Sequence, residues 1–306
     1  MVGFDNSQII FKKCLETCEF YNIINDFLAF VEVVSNNIIQ HHLEVKQKSF
    51  RTYNYGHISS ELTIKGIIKL CEIGDFVDAF VLLRKIRDNI LLDYFFISDL
   101  IFNVPNKTDK SINFETDSIE DISKYIANYI IEKNNFDVTN SEKQMIEKWF
   151  NSDNRSKKFE NTYKYSNYKN TLNERLNGNI SFIKNKMDKL DRVFNDFTHS
   201  NGMVYLKNPM LKEGIVNRID ILCSCVKDLE EIFLIYAFYI DPLLLQSSDY
   251  IDCLDFGETP PEEYKYYIFN SALDVFERIK KNNPEYFEIL KENNKYGMFI
   301  EKNNYK

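Results

Sequence analysis

Arg192 and His199 are the residues whose types and spacing best suit chemistry, because a guanidinium and an imidazole together stabilise anionic charge and move protons. Seven residues is almost two helical turns, so the two lie about 20° apart on one helical face. Projected at about 100° per residue, that face also carries Ser181, Asn185, Asp188 and Asp196, and it lies about 170° from the Leu190 and Phe194 stripe. The pair is expected to point away from its own helix's core. Cleaving RNA without a metal needs a base for the 2′-hydroxyl, a donor for the leaving oxygen, and fixed positive charge where phosphorane charge develops. Arg192 and His199 meet those needs, with Asp196, Asn195 and Arg84 as candidate supports. The bland alternative is a solvated face, on which Arg192 pairs with Asp196 or Asp188 and His199 simply favours a helix C-terminus before Asn201-Gly202.

The segment leading to this pair breaks the chain's acidic rule. Between Arg155 and Arg192 there are ten basic residues against four acidic ones, a local +6 inside a net charge of −8, so the remainder sums to −14. Phe159, Tyr163, Tyr165, Tyr168 and Phe182 are interleaved with those charges. Cations that neutralise a phosphate backbone, alternating with rings on which unpaired bases stack, suit single-stranded RNA. Lys157, Lys158, Lys164, Lys169, Arg175 and Lys184 are the candidate RNA contacts. A lysine-rich solvated face is the competing reading.

An Arg followed by a His after four to six residues, near the end of a helix in an all-α bundle, resembles the HEPN superfamily of prokaryotic toxins and defence RNases. The surrounding "FNDFTHSNG" and the earlier "DAFVLLRKIRDNILLDYFF" are also similar to helical proteins of bacterial abortive-infection systems. The looser likeness spans roughly 59–240. It implies that Arg192 and His199 form the active site of a metal-independent endoribonuclease, cleaving RNA at a cleft between two protomers. It also implies an antitoxin or defence-system partner. One chain supplies a single His in this motif, so acid and base work would use a symmetric homodimer.

Other chemistry-bearing residues carry less. Arg51 and His57 match the same spacing, but in a stretch expected to be loop, where no helix fixes their geometry. Arg84, Arg87 and Asp88 interrupt an apolar helix; a buried Arg84 paired to Asp88 is the structural expectation, a phosphate contact the functional one. His41, His42 and Glu44 have no acceptable third ligand at a useful spacing, so no metal is expected. GxxxxGK[ST], GxGxxG and GxSxG patterns are absent, and no cofactor is expected.

The elements that must position these groups are helical. Phe11, Cys14, Cys18, Tyr21, Ile24, Leu28 and Val31 recur at steps of three and four, predicting one long helix over about 7–40. Helices follow over roughly 59–73 and 75–102, split by Gly74, the second apolar nearly all round and expected at the core's centre. Ser118 with Asp121 opens another, and Met145, Ile146 and Trp149 mark a shorter one. Ile180 to Phe197 and Ile215 to Ile240 then form two bundle-packed helices, the latter stopped by Asp241-Pro242. From Asp241 to Glu263 every charge is acidic, which predicts a solvated connector or lid, and two short helices finish the chain.

The fold class expected is therefore all-α, a helical bundle with peripheral helices and HEPN-like, with a helical domain over 1–245 and an acidic connector plus C-terminal helices over 246–306 packed on or beside it. At 306 residues and 44% apolar content the chain can bury a substantial core, which excludes collagen-like and wholly disordered classes. The net charge of −8 argues against coating DNA or an anionic membrane. The most apolar run, Ile232 to Leu245, is too short to span a bilayer. Six cysteines without a CxxC pair or secretory leader read as reduced thiols in a cytoplasm. Two rivals stand beside the nuclease reading: a non-catalytic helical module that recognises a partner protein or nucleotide, and a structural component of a multi-gene complex.

Overall fold

A computed structural model of the chain describes residues 4–44, 55–103, 165–176, 181–198, 212–247, 256–259, 268–294 and 297–301. The helices of these regions are α1 (Phe4–Thr17), α2 (Phe20–Glu44), α3 (Tyr55–Ile73), α4 (Phe76–Asn103), α5 (Tyr165–Arg175), α6 (Ser181–Thr198), α7 (Lys212–Ile240), α8 (Asn270–Asn282) and α9 (Pro284–Glu292). Among the described residues the fold is all-α: β pairing is one isolated antiparallel bridge between Gln246 and Ile268. The expected helices beginning at Ser118 and around Trp149 lie outside the described residues.

Two antiparallel neighbours, α3 and α4, form the closest pair, joined where the chain turns at Gly74. There the α3 C-terminus closes with Asp75 N donating to Leu70 O (2.9 Å) and Gly74 N to Cys71 O (3.1 Å). Gly74 takes φ +84°, a left-handed conformation that a side chain would disfavour, so the break expected at this glycine is present.

The single N-terminal helix expected over 7–40 is instead two. Glu19 adopts φ +54° between α1 and α2, and the chain bends there. Burial is continuous across the bend, from Cys14 and Leu15 to Phe20 and Ile24, which is why apolar spacing did not reveal it.

Helix α3 begins at Tyr55, four residues before the expected start, because its cap comes from α4. Asp93 accepts from Gly56 N (3.1 Å), from His57 N (2.8 Å) and from the His57 ring at Nδ1 (2.7 Å). This carboxylate meets the orphan amides of a first helical turn across a tertiary contact. His57 is thus a buried helical residue rather than a loop residue, 1% exposed and edge-on to Tyr94 at 5.2 Å. Desolvation pushes the Asp93 carboxyl above its usual range, against the opposing pull of the His57 ring.

The core's centre is shared by α4 and α7. In α7 every residue from Asp228 to Ile240 is buried, so its C-terminal half is enclosed all round. Phe233 stacks on Phe27 of α2 at 6.1 Å, and Tyr236 meets Tyr94 of α4 at 6.2 Å while donating to Asn173 Oδ1 of α5 (2.8 Å). Helix α6 closes over α4 through Phe197 stacked on Phe80 at 3.9 Å.

Where a solvated connector was expected from Asp241 onward, the first residues are packed. Asp241, Leu244, Leu245 and Gln246 are buried, and Asn37 Nδ2 of α2 donates to the carbonyls of Leu244 and Gln246, each at 2.8 Å. Acidic composition downstream did not predict this because the anchoring groups are backbone carbonyls and two leucines. Phe256 and Glu258 are exposed, and most of 248–263 lies outside the described residues.

Helix α8 packs on α2 and α7, and α9 returns beside it. Arg278 of α8 binds Glu230 (2.8 Å) and Glu231 (2.9 Å) of α7. Lys186 of α6 binds Asp228 (2.7 Å) and Glu231 (3.0 Å), so one row of carboxylates on α7 ties together α6 and α8.

Candidate functional site

Helix α6 is strongly two-faced. Ile183, Met187, Leu190, Phe194 and Phe197 are buried at the spacing expected of one apolar stripe, leaving the opposite face to solvent. Arg192 lies on that open face and is exposed; its Nε donates to the Asp188 carbonyl at 3.3 Å, one turn back. Asn195 and Asp196 are exposed beside it. His199 follows directly on the last α6 residue, Thr198, and lies outside the described residues.

The other candidates divide. Lys184 is exposed on α6. Lys169 of α5 is nearly buried and binds Asp191 at 2.9 Å, with Asp188 at 3.8 Å. Lys157, Lys158 and Lys164 lie outside the described residues, as does the Arg175 side chain. The side chains of His41, His42 and Glu44 are likewise outside them.

The buried arginine of α4 is Arg87, where Arg84 was expected. Arg87 is 1% exposed, binds Asp88 (2.9 Å) and Asp191 (2.5 Å), and lies 5.0 Å over the Phe194 ring. Arg84 is half-buried, and its charge also acts on Asp88. Burial raises the Asp88 carboxyl above its ordinary value, opposed by Arg87. The choice between the two arginines turns on the α6 partner Asp191, 104 positions away, which helical spacing on α4 alone cannot supply.

The charges along these three helices alternate in sign, with Arg87 buried beneath the rest. Arg84, Arg87, Lys169 and Arg192 gather along α4, α5 and α6, and Asp88, Asp188 and Asp191 sit among them. Of the cations here, Arg192 is exposed and hydrogen-bonds a carbonyl, whereas Lys169 and Arg87 are each held by carboxylates. Among these four cations Arg192 is the exposed one.

Sequence reasoning missed the His57–Asp93 pair, because the two residues are 36 positions apart on different helices and nothing in their local spacing links them. It also missed the α7 carboxylate row, visible only as acidic residues ahead of an apolar run. No group of three His, Cys, Asp or Glu side chains suited to a metal occurs among the described residues. Among them, too, no helix is long and apolar enough to cross a membrane.

No protein-family model, curated protein or solved structure matches this chain.

Proposed function

We propose that the chain is a metal-independent, HEPN-like endoribonuclease of a bacterial defence or toxin type, acting as a cytoplasmic homodimer. The observation that carries this reading is the exposure of Arg192 on the polar face of α6, opposite the buried Leu190 and Phe194 stripe, with His199 next after that helix's last turn. In this account the His199 imidazole takes the proton of a ribose 2′-hydroxyl. The 2′-oxygen attacks the adjacent phosphorus, and the 5′-oxygen leaves after gaining a proton from the imidazolium of a second protomer. Arg192 stabilises the charge that grows on the phosphorane oxygens. The products are a 2′,3′-cyclic phosphate and a 5′-hydroxyl. Asn195 and Asp196, exposed beside Arg192, and Arg84 of α4 are the supporting residues of this account.

Purified protein and His199→Ala, incubated with RNA in EDTA, test this. Cleavage by the parent alone is expected; equal cleavage by both, or by neither, contradicts it.

A second reading is favoured by one observation. Lys169, a candidate RNA contact that a nucleic-acid surface would leave available, is engaged by Asp191. On that reading the chain is a helical module that recognises a partner protein or nucleotide without catalysis, and neither RNA cleavage nor tight RNA binding would be found.

A further inference from the structure

A groove of about 500 Å³ opens between the N-terminal half of α6 and the start of α9, within the size range of small-molecule sites. Its lining is partly aromatic: Phe182 and Tyr286 stack on each other at 4.4 Å with planes 19° apart, Lys186 Nζ lies 5.7 Å over the Phe182 ring, Tyr286 is buried, and the exposed Ile289 extends the apolar surface. Its rim carries two amides, Asn185 from α6 and Asn283 from the α8–α9 junction.

The charges of this groove exclude a phosphate as its occupant. Lys186 is held by Asp228 at 2.7 Å and Glu231 at 3.0 Å, so its ammonium is already neutralised. Glu285 on the opposite wall is exposed and would repel an anion. What fits is a flat, uncharged heteroaromatic ring that packs against apolar side chains and hydrogen-bonds at its edge.

The groove also lies on the functional face. Asn185 and Arg192 are seven residues apart on α6, so they share a side of the helix to within about 20° and stand about 10 Å apart along its axis. A single strand whose phosphate meets Arg192 would run past Asn185. The exposed Asn185 amide offers a donor and an acceptor side by side, the pair that matches adenine at N6 and N7. Asn283, also on the lining, has its Oδ1 committed to the Tyr286 amide at 3.2 Å.

We infer that the Phe182–Tyr286 groove is a base-recognition subsite for one unpaired adenine of a single-stranded RNA, with Asn185 reading the base edge. This inference deepens the nuclease reading, on which the choice of RNA as occupant rests.

Fluorescence anisotropy with labelled five-nucleotide oligoadenylate and oligouridylate, 2′-O-methylated so that the 2′-oxygen cannot attack, tests it, using the parent chain, Asn185→Ala and His199→Ala. Asn185 is exposed, so its truncation leaves the fold intact, as a thermal melt would show. The parent is expected to bind oligoadenylate about tenfold more tightly than oligouridylate, Asn185→Ala to lose that preference, and His199→Ala to keep it. Equal affinity for the two oligonucleotides, or a preference unchanged in Asn185→Ala, overturns the subsite even if the parent cleaves RNA. An Asn185-dependent preference without any cleavage upholds the subsite and refutes the nuclease reading instead.

Discussion

Arg87 on α4 binds Asp191 on α6 at 2.5 Å, and the same carboxylate binds Lys169 of α5 at 2.9 Å. Asp191 immediately precedes Arg192 on the helix that carries the candidate site. This buried guanidinium joins the apolar stripe of α6 in holding that helix against α4. The side from which Arg192 projects is thus set by the buried stripe of α6 together with the Arg87 contact to its neighbour Asp191.

Removing Arg87 leaves Asp88 and Asp191 half-buried without their principal partner. Arg87→Ala is expected to cost about 3 kcal/mol, reduced from the fully buried case because both carboxylates reach solvent. Arg84→Ala, at a half-buried position, should cost under about 1 kcal/mol. Urea unfolding of the two variants checks the order; a larger loss at Arg84 would contradict the assignment.

Two glycines of α3 should respond in opposite directions to alanine. A Cβ at Gly56 would collide with the backbone carbonyl of Asn89 and lie 2.8 Å from the Asp93 carboxyl carbon, so Gly56→Ala should destabilise by about 2 kcal/mol or more. A Cβ at Gly66 would have its nearest neighbour, Leu82, at 3.6 Å, and Gly66→Ala should stabilise by about 0.5–1 kcal/mol. Thermal melts of both variants test the α3–α4 contact directly.

Glu230 sets a pH dependence of stability. Burial lifts its carboxyl from the ordinary 4.5 to about 7, against the pull of Arg278. The folded chain then holds a proton where the unfolded chain has lost it, so this group's contribution is full below pH 4.5 and declines as pH rises through 7. The decline is expected to be on the order of 3 kcal/mol, and Glu230→Gln should flatten it. Urea titrations at several values across that window measure the slope; an unchanged slope in the variant would assign it elsewhere.

Helix existence was legible in the sequence because burial imposes a three-and-four spacing, which α6 displays from Ile183 to Phe197 and the first half of α7 displays from Ile215 to Leu229. Backbone events that leave burial periodic were not. The Glu19 bend interrupts no apolar stripe, and the α3 start depends on Asp93, a side chain 36 positions beyond the amide it caps. Charge partners obey the same limit. Arg192 was legible as outward-facing from its own helix, whereas the choice of Arg87 over Arg84 as the buried arginine needed α6 in place.

The measurement that bears most directly on the central claim is the end chemistry of RNA fragments produced in EDTA by the parent chain and by Arg192→Ala. Arg192 is exposed, so the variant should keep its melting temperature to within the effect of about 0.5 kcal/mol. The account predicts 2′,3′-cyclic phosphate and 5′-hydroxyl ends from the parent, and a cleavage rate at least about a hundredfold lower in Arg192→Ala. Fragments with 5′-phosphate ends, or undiminished cleavage by an intact Arg192→Ala, would contradict it.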